Sequence, residues 1–167
     1  MNYSRADLVQ ATSASNQMRN AVYHLIRFMR REKVEDIRER LRRMGKNIAL
    51  TFSRYWLPNV PLTKETLKSI VKDIYQTIFK SKIVPEVDFD KKILRITDSK
   101  CCLCKYNYPD IDIAGCEVIE GLLPTYVDIL NKQFPQRTTI SLRPSSVVKS
   151  KAVGDTHCLQ RFEIIVK

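Results

Sequence analysis

The stretch 82-KIVPEVDFDKKILRIT-97 marks the point where the spacing of apolar residues changes from a helical to an extended period. Its apolar residues lie on both sides of the polar turn Asp90-Lys91-Lys92. Two short apolar runs around such a turn are typical of paired antiparallel strands. The stretch therefore predicts a β-hairpin. The next apolar piece, Cys101–Tyr106, either continues the sheet or forms its edge.

Three amphipathic helices are predicted before the hairpin. Apolar residues recur at steps of three and four over residues 17–31 and 34–55, which is the spacing of one buried helix face. A third helix is expected to begin near Thr63, because threonine is a favoured N-cap residue and an aliphatic stripe follows it.

The helical spacing returns after the hairpin, from Cys116 to Lys132, and two further strands are expected at Thr138–Leu142 and Phe162–Val166. Pro124 lies inside the helical segment, so the helix either begins just before this proline or kinks at it. The resulting order predicts an α+β fold, in which N-terminal helices pack with a mostly antiparallel four-stranded sheet and one helix is inserted between two strand pairs.

The length of 167 residues suits a single domain spanning 1–167, with residues 1–16 as a flexible or exchanged N-terminal segment. No apolar run is long enough to span a membrane and the first ten residues are polar, so a cytoplasmic location is expected. The net charge of +11 is concentrated in the first third of the chain. A solvated helix surface is the favoured interpretation, and nucleic-acid binding is not expected because interleaved aromatic residues are missing.

Cysteine and histidine residues form the sharpest group of candidate functional residues. In a reducing compartment they are read as metal ligands, free thiols or small buried residues rather than as disulfides. Two cysteines with a two-residue spacer can converge on one zinc ion. The candidate metal ligands are Cys101, Cys104, Cys116, His157 and Cys158. Neighbouring residues of a strand point to opposite faces, which favours Cys158 over His157 as a ligand.

Catalysis is not expected. The four glycines form no nucleotide-binding loop, so a hydride-donating cofactor has no recognisable site. A cysteine–histidine nucleophilic pair would need an orienting third group that the sequence does not reveal. The carboxylates of residues 110–120 are equally compatible with a solvated loop and a helix start.

Several short motifs resemble the vinyl-4-reductase domain family, a small-molecule-binding or hydrocarbon-binding module that shares its fold with core subunits of the TRAPP tethering complexes. They are Cys101–Lys105, Gly115-Cys116-Glu117 with Gly121-Leu122-Leu123, and Val153-Gly154-Asp155-Thr156-His157-Cys158 followed by Phe162-Glu163-Ile164. The Gly-Asp-x-x-Cys ending is the most specific of them. The likeness extends over most of the chain from about residue 20, including the helical Met44-Gly45-Lys46.

The resemblance implies an apolar pocket, frequent dimerisation, and a metal or ligand role for the cysteines at 104, 116 and 158. The chain departs from the family pattern at two positions. Ser150 stands where many members have another cysteine, and Gln160 stands where an aromatic residue is usual. In a four-ligand site, Cys101 or His157 would then replace the missing cysteine.

Three functions follow as hypotheses. The leading one is a hydrophobic small-molecule-binding module, with Cys116, Leu122 and Tyr126 among the walls of a pocket between the helix after the hairpin and the sheet. The alternative, that these residues simply pack in the core, fits the sequence equally well. The second is a homodimeric scaffold subunit that resembles the TRAPP core subunits. The third is a subunit or relic of a tetrapyrrole vinyl reductase system, although a reductase label would only be inherited from the family name.

Overall fold

The computed structural model describes residues 4–167. Helices and strands follow one another in this range as α1 (Arg5–Arg31), α2 (Ile37–Phe52), α3 (Leu67–Phe79), β1 (Val84–Asp88), β2 (Ile93–Asp98), α4 (Glu117–Gln133), β3 (Ile140–Lys149) and β4 (Cys158–Val166). A single 3-10 turn, Lys151–Val153, precedes β4. This order confirms the predicted α+β fold, with α4 inserted between two strand pairs. In the described part of the chain, no helix is long and apolar enough to cross a membrane.

The four strands form one antiparallel sheet in the order β1-β2-β4-β3. Alternate residues of the two central strands are buried, so one face of the sheet lies against the core. Phe162 pairs with Leu94 on this face, and Cys158 pairs with Asp98. In this register, Cys158 lies on the buried face of the sheet, at the start of β4.

The β1–β2 hairpin is confirmed, and its turn is held by local hydrogen bonds. The Lys91 amide donates to Asp88 Oδ1 at 2.9 Å, and Lys92 has a left-handed φ of 54°. The prediction that Cys101–Tyr106 continues the sheet or forms its edge is wrong, because this piece lies within the irregular segment between β2 and α4. We call residues 99–116 the cysteine loop.

The helix boundaries differ from the predicted ones at several ends. Helix α1 begins at Arg5, so most of the segment 1–16 is helical, while residues 1–3 lie outside the described range. Helix α3 begins at Leu67 rather than near Thr63. Thr63 still caps the turn that leads into the helix: its amide donates to Thr66 Oγ1 at 2.8 Å, and its hydroxyl accepts from the Thr66 amide at 3.3 Å.

Helices α2 and α4 cross in backbone contact, and this contact depends on two glycines. A Cβ atom added to Gly45 would lie 1.8 Å from the Val118 carbonyl oxygen. A Cβ atom added to Gly121 would lie 1.8 Å from the Arg42 carbonyl oxygen. Neither distance is possible for a real side chain, so both positions require glycine.

Helix α4 runs through Pro124 without ending there. The Thr125 hydroxyl donates a hydrogen bond to the Gly121 carbonyl, four residues earlier, at 2.8 Å. The helix is buried on the sides facing α2 and β3. Its N-terminus is thereby fixed against the cysteine loop.

Helix α1 is tied to the cysteine loop by several contacts. Arg27 forms a two-point ion pair with Asp110, and Arg30 pairs with Asp112. The ring of Tyr23 lies 4.3 Å, between centroids, from the ring of Tyr108. The cysteine loop therefore links α1 to the sheet and to α4.

Candidate metal centre

Two segments of the chain, the cysteine loop and β4, bring four cysteines together. Cys101 and Cys104 lie in the cysteine loop after β2, Cys116 is the N-cap residue of α4, and Cys158 is the first residue of β4. All four are at most 2% exposed. They lie where the start of α4 meets the end of the sheet.

The four sulfur atoms all lie within 4.8 Å of one another. Cys104 Sγ and Cys116 Sγ are 3.3 Å apart, well beyond the ~2.05 Å of a disulfide bond, and all five cysteines are free thiols. Four thiolates around one zinc ion at about 2.3 Å would be about 3.8 Å from one another. The observed cluster is close to that size, and its donor set is that of a structural zinc site.

The thiols of Cys101, Cys104 and Cys116 shift one another's pKa values. The pKa of Cys104 lies well below its usual value because the thiols of Cys101, Cys116 and Cys158 hydrogen-bond to its sulfur. Contacts with Cys104 and Cys158 raise the pKa of Cys101 well above its usual value, and contacts with Cys101, Cys104 and Cys158 do the same for Cys116. Cys104 thus holds negative charge more readily than Cys101 or Cys116, and a cation would take the place of the protons around it.

Two hydroxyl groups adjoin the sulfurs. The Tyr23 hydroxyl donates to Cys104 Sγ at 3.4 Å and accepts a hydrogen bond from the Gly115 amide at 3.1 Å. Burial, followed by the nearby Cys104, raises the pKa of Tyr23 far above its usual value, which keeps the hydroxyl protonated. Ser150 Oγ lies 4.0 Å from Cys116 Sγ and 3.9 Å from Cys158 Sγ. Tyr23 and Ser150 therefore contact the cysteine sulfurs without being among the four candidate ligands.

Replacing Tyr23 with phenylalanine is expected to weaken metal binding by about tenfold to a hundredfold, because outer hydrogen bonds orient metal ligands. Competition with a chromophoric chelator measures this affinity. The Gly115 amide also loses its acceptor, so unfolding by urea should show a loss of about 1–3 kcal/mol. Unchanged metal affinity would mean that the hydroxyl serves packing alone.

The structure brings together four of the five candidate ligands. His157 is partly exposed, and its Nδ1 lies 3.0 Å from the Thr156 hydroxyl, outside the cluster. It precedes β4, whereas Cys158 points to the buried face of that strand. Cys102 also lies outside the cluster, although it neighbours Cys101.

Leu122 and Tyr126, the predicted ligand-contacting residues, are fully buried in the core. The Tyr126 hydroxyl donates to the Trp56 carbonyl at 3.4 Å, and the two rings are 6.3 Å apart. An open cleft of about 680 Å³ does border α4, but its lining includes Glu120, Gly121, Pro124 and Thr125 rather than these two residues.

The carboxylates of residues 110–120 are of two kinds. Asp110, Asp112 and Glu117 form ion pairs with arginines of α1 and α2. Glu120 is fully buried, and neither of its carboxyl oxygens has a hydrogen-bond partner among residues 4–167. Burial, and then the nearby Glu117, raises the pKa of Glu120 to about 8 against the opposing effect of Arg42.

The raised pKa of Glu120 predicts a pH-dependent loss of stability. Between about pH 4.5 and pH 8 the folded chain keeps a proton that the unfolded chain releases, so the free energy of unfolding falls as the pH rises. Glu120→Gln removes this dependence. Its stability advantage over the wild type should therefore be about 2 kcal/mol larger at pH 8.5 than at pH 6. Urea denaturation of both proteins at both pH values measures this difference. The same difference in unfolding free energy at pH 6 and pH 8.5 would show that the Glu120 carboxylate is stabilised by a partner in the folded protein.

Comparison with known proteins defines the fold but not a family. No protein-family model matches the chain, and no curated protein matches it. A crystal structure of trafficking protein particle complex subunit 3 from Naegleria fowleri, covalently bound to palmitic acid, is similar with a TM-score of 0.65. The match covers 91% of this chain and 95% of that chain at 15% sequence identity. The predicted TRAPP-subunit fold is confirmed, and membership of the vinyl-4-reductase domain family stays a prediction.

Proposed function

We propose that this chain is a non-catalytic scaffold domain built around one structural zinc ion, which Cys101, Cys104, Cys116 and Cys158 hold. The observation that carries the proposal is the convergence of four buried sulfur atoms within 4.8 Å. Thiolates are the ligands that structural zinc sites use most, and four of them complete a tetrahedron.

The donor set favours a structural over a catalytic role. Catalytic zinc keeps one coordination position for water or substrate, whereas four protein sulfurs leave none. The ion would join β4 to the cysteine loop and the start of α4, in addition to the hydrogen bond that Gln160 donates to the Cys116 carbonyl. Free thiols of this kind suit a reducing compartment, which supports the expected cytoplasmic location.

The scaffold role rests on the fold. The similar structure is a subunit of a trafficking complex, and α1 exposes three large apolar side chains, Val9, Leu25 and Phe28. Exposed apolar residues of this kind support pairing with a second copy of the chain. Light scattering over a range of concentrations tests the homodimer, and a monomer at every concentration would contradict it.

Metal content tests the zinc site directly. Untagged protein, purified without chelator, should contain about one zinc ion per chain by elemental analysis. Cys104→Ser should lose the metal, while Cys102→Ser, which changes the same atom two residues away, should keep it. Protein without metal, or Cys102→Ser losing the metal as fully as Cys104→Ser, would contradict the proposal. If the protein contained iron instead of zinc, the metal site would be supported but the identity of its metal would be wrong.

Hydrophobic ligand binding is the second candidate. It is favoured by the palmitic acid that is bound to the similar subunit and by the apolar character of α4. The full burial of Leu122 and Tyr126 supports their role as core residues instead. Native mass spectrometry of gently purified protein distinguishes the two, because a bound fatty acid or other apolar compound would add a defined mass.

A further inference from the structure

Gln160 is a buried polar side chain on the strand that carries one of the four cluster cysteines. It lies two residues after Cys158 on β4, and the alternation of this strand places both side chains on the buried face of the sheet. Only 1% of Gln160 is exposed. An amide group at this depth is tolerated where hydrogen bonds satisfy it.

Both ends of the Gln160 amide meet a partner. Its Nε2 donates to the Cys116 carbonyl at 3.2 Å, and its Oε1 accepts from the Tyr75 hydroxyl of α3. The chemistry of the partners fixes this orientation, because a carbonyl can only accept and the amide nitrogen must therefore face Cys116. Tyr75 is fully buried, and burial raises its pKa well above the usual value, which keeps the hydroxyl available as a donor.

The Cys116 carbonyl is held from two directions. Within α4 it accepts from the Ile119 amide at 2.9 Å, in the first turn of the helix. From the sheet it accepts from the Gln160 amide. Gln160 therefore connects the backbone of one candidate ligand, Cys116, to the strand that carries another, Cys158. Hydrogen-bonded groups behind metal ligands determine where the ligand atoms lie.

We propose that Gln160 is a positioning residue of the metal centre, which holds Cys116 at the separation from Cys158 that one tetrahedral ion requires, and that Tyr75 orients the Gln160 amide. This role rests on the proposed function, because it requires a bound ion. A purely structural role, in which Gln160 only joins α3 to α4, predicts a loss of stability without a change at the metal. The two roles therefore differ in metal affinity and in the geometry around the ion.

Gln160→Met keeps the approximate length of the side chain and removes both hydrogen bonds. Zinc affinity, measured by competition with a chromophoric chelator, should fall about tenfold, as is usual when an outer partner of a metal ligand is lost. The variant loaded with cobalt(II) should also show a weaker or shifted visible absorption, because this absorption reports the tetrahedral arrangement of the ligands.

Asn131→Leu is the matched control for Gln160→Met. The Asn131 side chain also donates from an amide to a backbone carbonyl, that of Ile140 at 2.8 Å, and it also links α4 to the sheet. Asn131 lies about 22 Å further along α4 than Cys116. Its replacement should leave zinc affinity and the cobalt spectrum unchanged.

Tyr75→Phe tests the orienting role of the Tyr75 hydroxyl. It should weaken zinc binding by less than Gln160→Met does, because the amide keeps its bond to Cys116 but loses the partner that orients it. In the double variant Tyr75→Phe/Gln160→Met, zinc affinity should equal that of Gln160→Met alone, since Tyr75 acts through Gln160. Additive losses of the two variants would contradict this pathway.

The outcomes separate this role from the zinc site itself. Wild-type protein that binds no metal would overturn both. If the wild type binds zinc, and Gln160→Met binds it with the same affinity and gives the same cobalt spectrum, only the positioning role of Gln160 would be overturned. Tyr75→Phe removes a single oxygen atom, so an unchanged zinc affinity of this variant would contradict the proposal even if Gln160→Met failed to fold.

Discussion

Removing the metal from the reduced protein with a strong chelator is expected to lower its thermal unfolding midpoint by about 10 °C or more. Structural zinc contributes on the order of 10 kcal/mol to small zinc domains. Even half of that would shift the midpoint of a domain of this size by about 10–20 °C. The physical reason is that the ion would tie β4 to the cysteine loop and the start of α4, which lie far earlier in the sequence.

Calorimetry with and without chelator measures this effect, and restoring zinc should reverse it. Cys158→Ser should reproduce the loss, since a hydroxyl at the start of β4 is a poor substitute for a thiolate. Cys102→Ser provides the matched control, because its sulfur lies outside the cluster. An identical midpoint in the presence and absence of chelator would show that the four thiols pack without an ion.

Gly121→Ala is expected to destabilise the fold by about 3 kcal/mol or more, at the upper end of the usual cost of overpacking. The added Cβ atom would lie 1.8 Å from the Arg42 carbonyl oxygen, and that oxygen belongs to the backbone of α2. Because no side chain can rotate away, the two helices would have to separate along their whole contact. Urea denaturation followed by circular dichroism measures the loss.

Two further variants sharpen this test. Gly45→Ala should be about as damaging, since its Cβ atom meets the Val118 carbonyl oxygen at the same distance. Asn47→Ala, at an exposed position of the same helix, should change stability by less than about 0.5 kcal/mol. If both glycine variants were as stable as Asn47→Ala, the close crossing of α2 and α4 would be refuted.

Local sequence patterns were sufficient for the hairpin and for the existence of every helix, because these depend on the spacing of apolar residues. They were insufficient for the cysteine loop. The apolar residues of 101–106 look like those of a strand, yet Cys101, Leu103 and Cys104 are buried in an irregular loop. Tertiary contacts therefore outweighed local propensity in this segment.

The candidate site was only partly visible in the sequence. The residue types and the short spacing of Cys101 and Cys104 indicated a metal, and strand alternation separated Cys158 from His157. The positions of Tyr23 and Ser150 depend on how α1 and the β3–β4 connection pack, which one sequence does not reveal. Gly45 and Gly121 did leave a signal, since glycine inside a helix usually marks a close approach.

The attachment of α1 to the cysteine loop makes the N-terminal helix sensitive to events at the sulfurs. Arg27 and Arg30 pair with the same loop that holds Cys101 and Cys104, so a change that loosens this loop also weakens the anchorage of α1. Thermodynamic linkage then acts in both directions. A partner that pulls α1 away would lower the affinity of the site for zinc, and bound zinc would lower the affinity for that partner by the same factor.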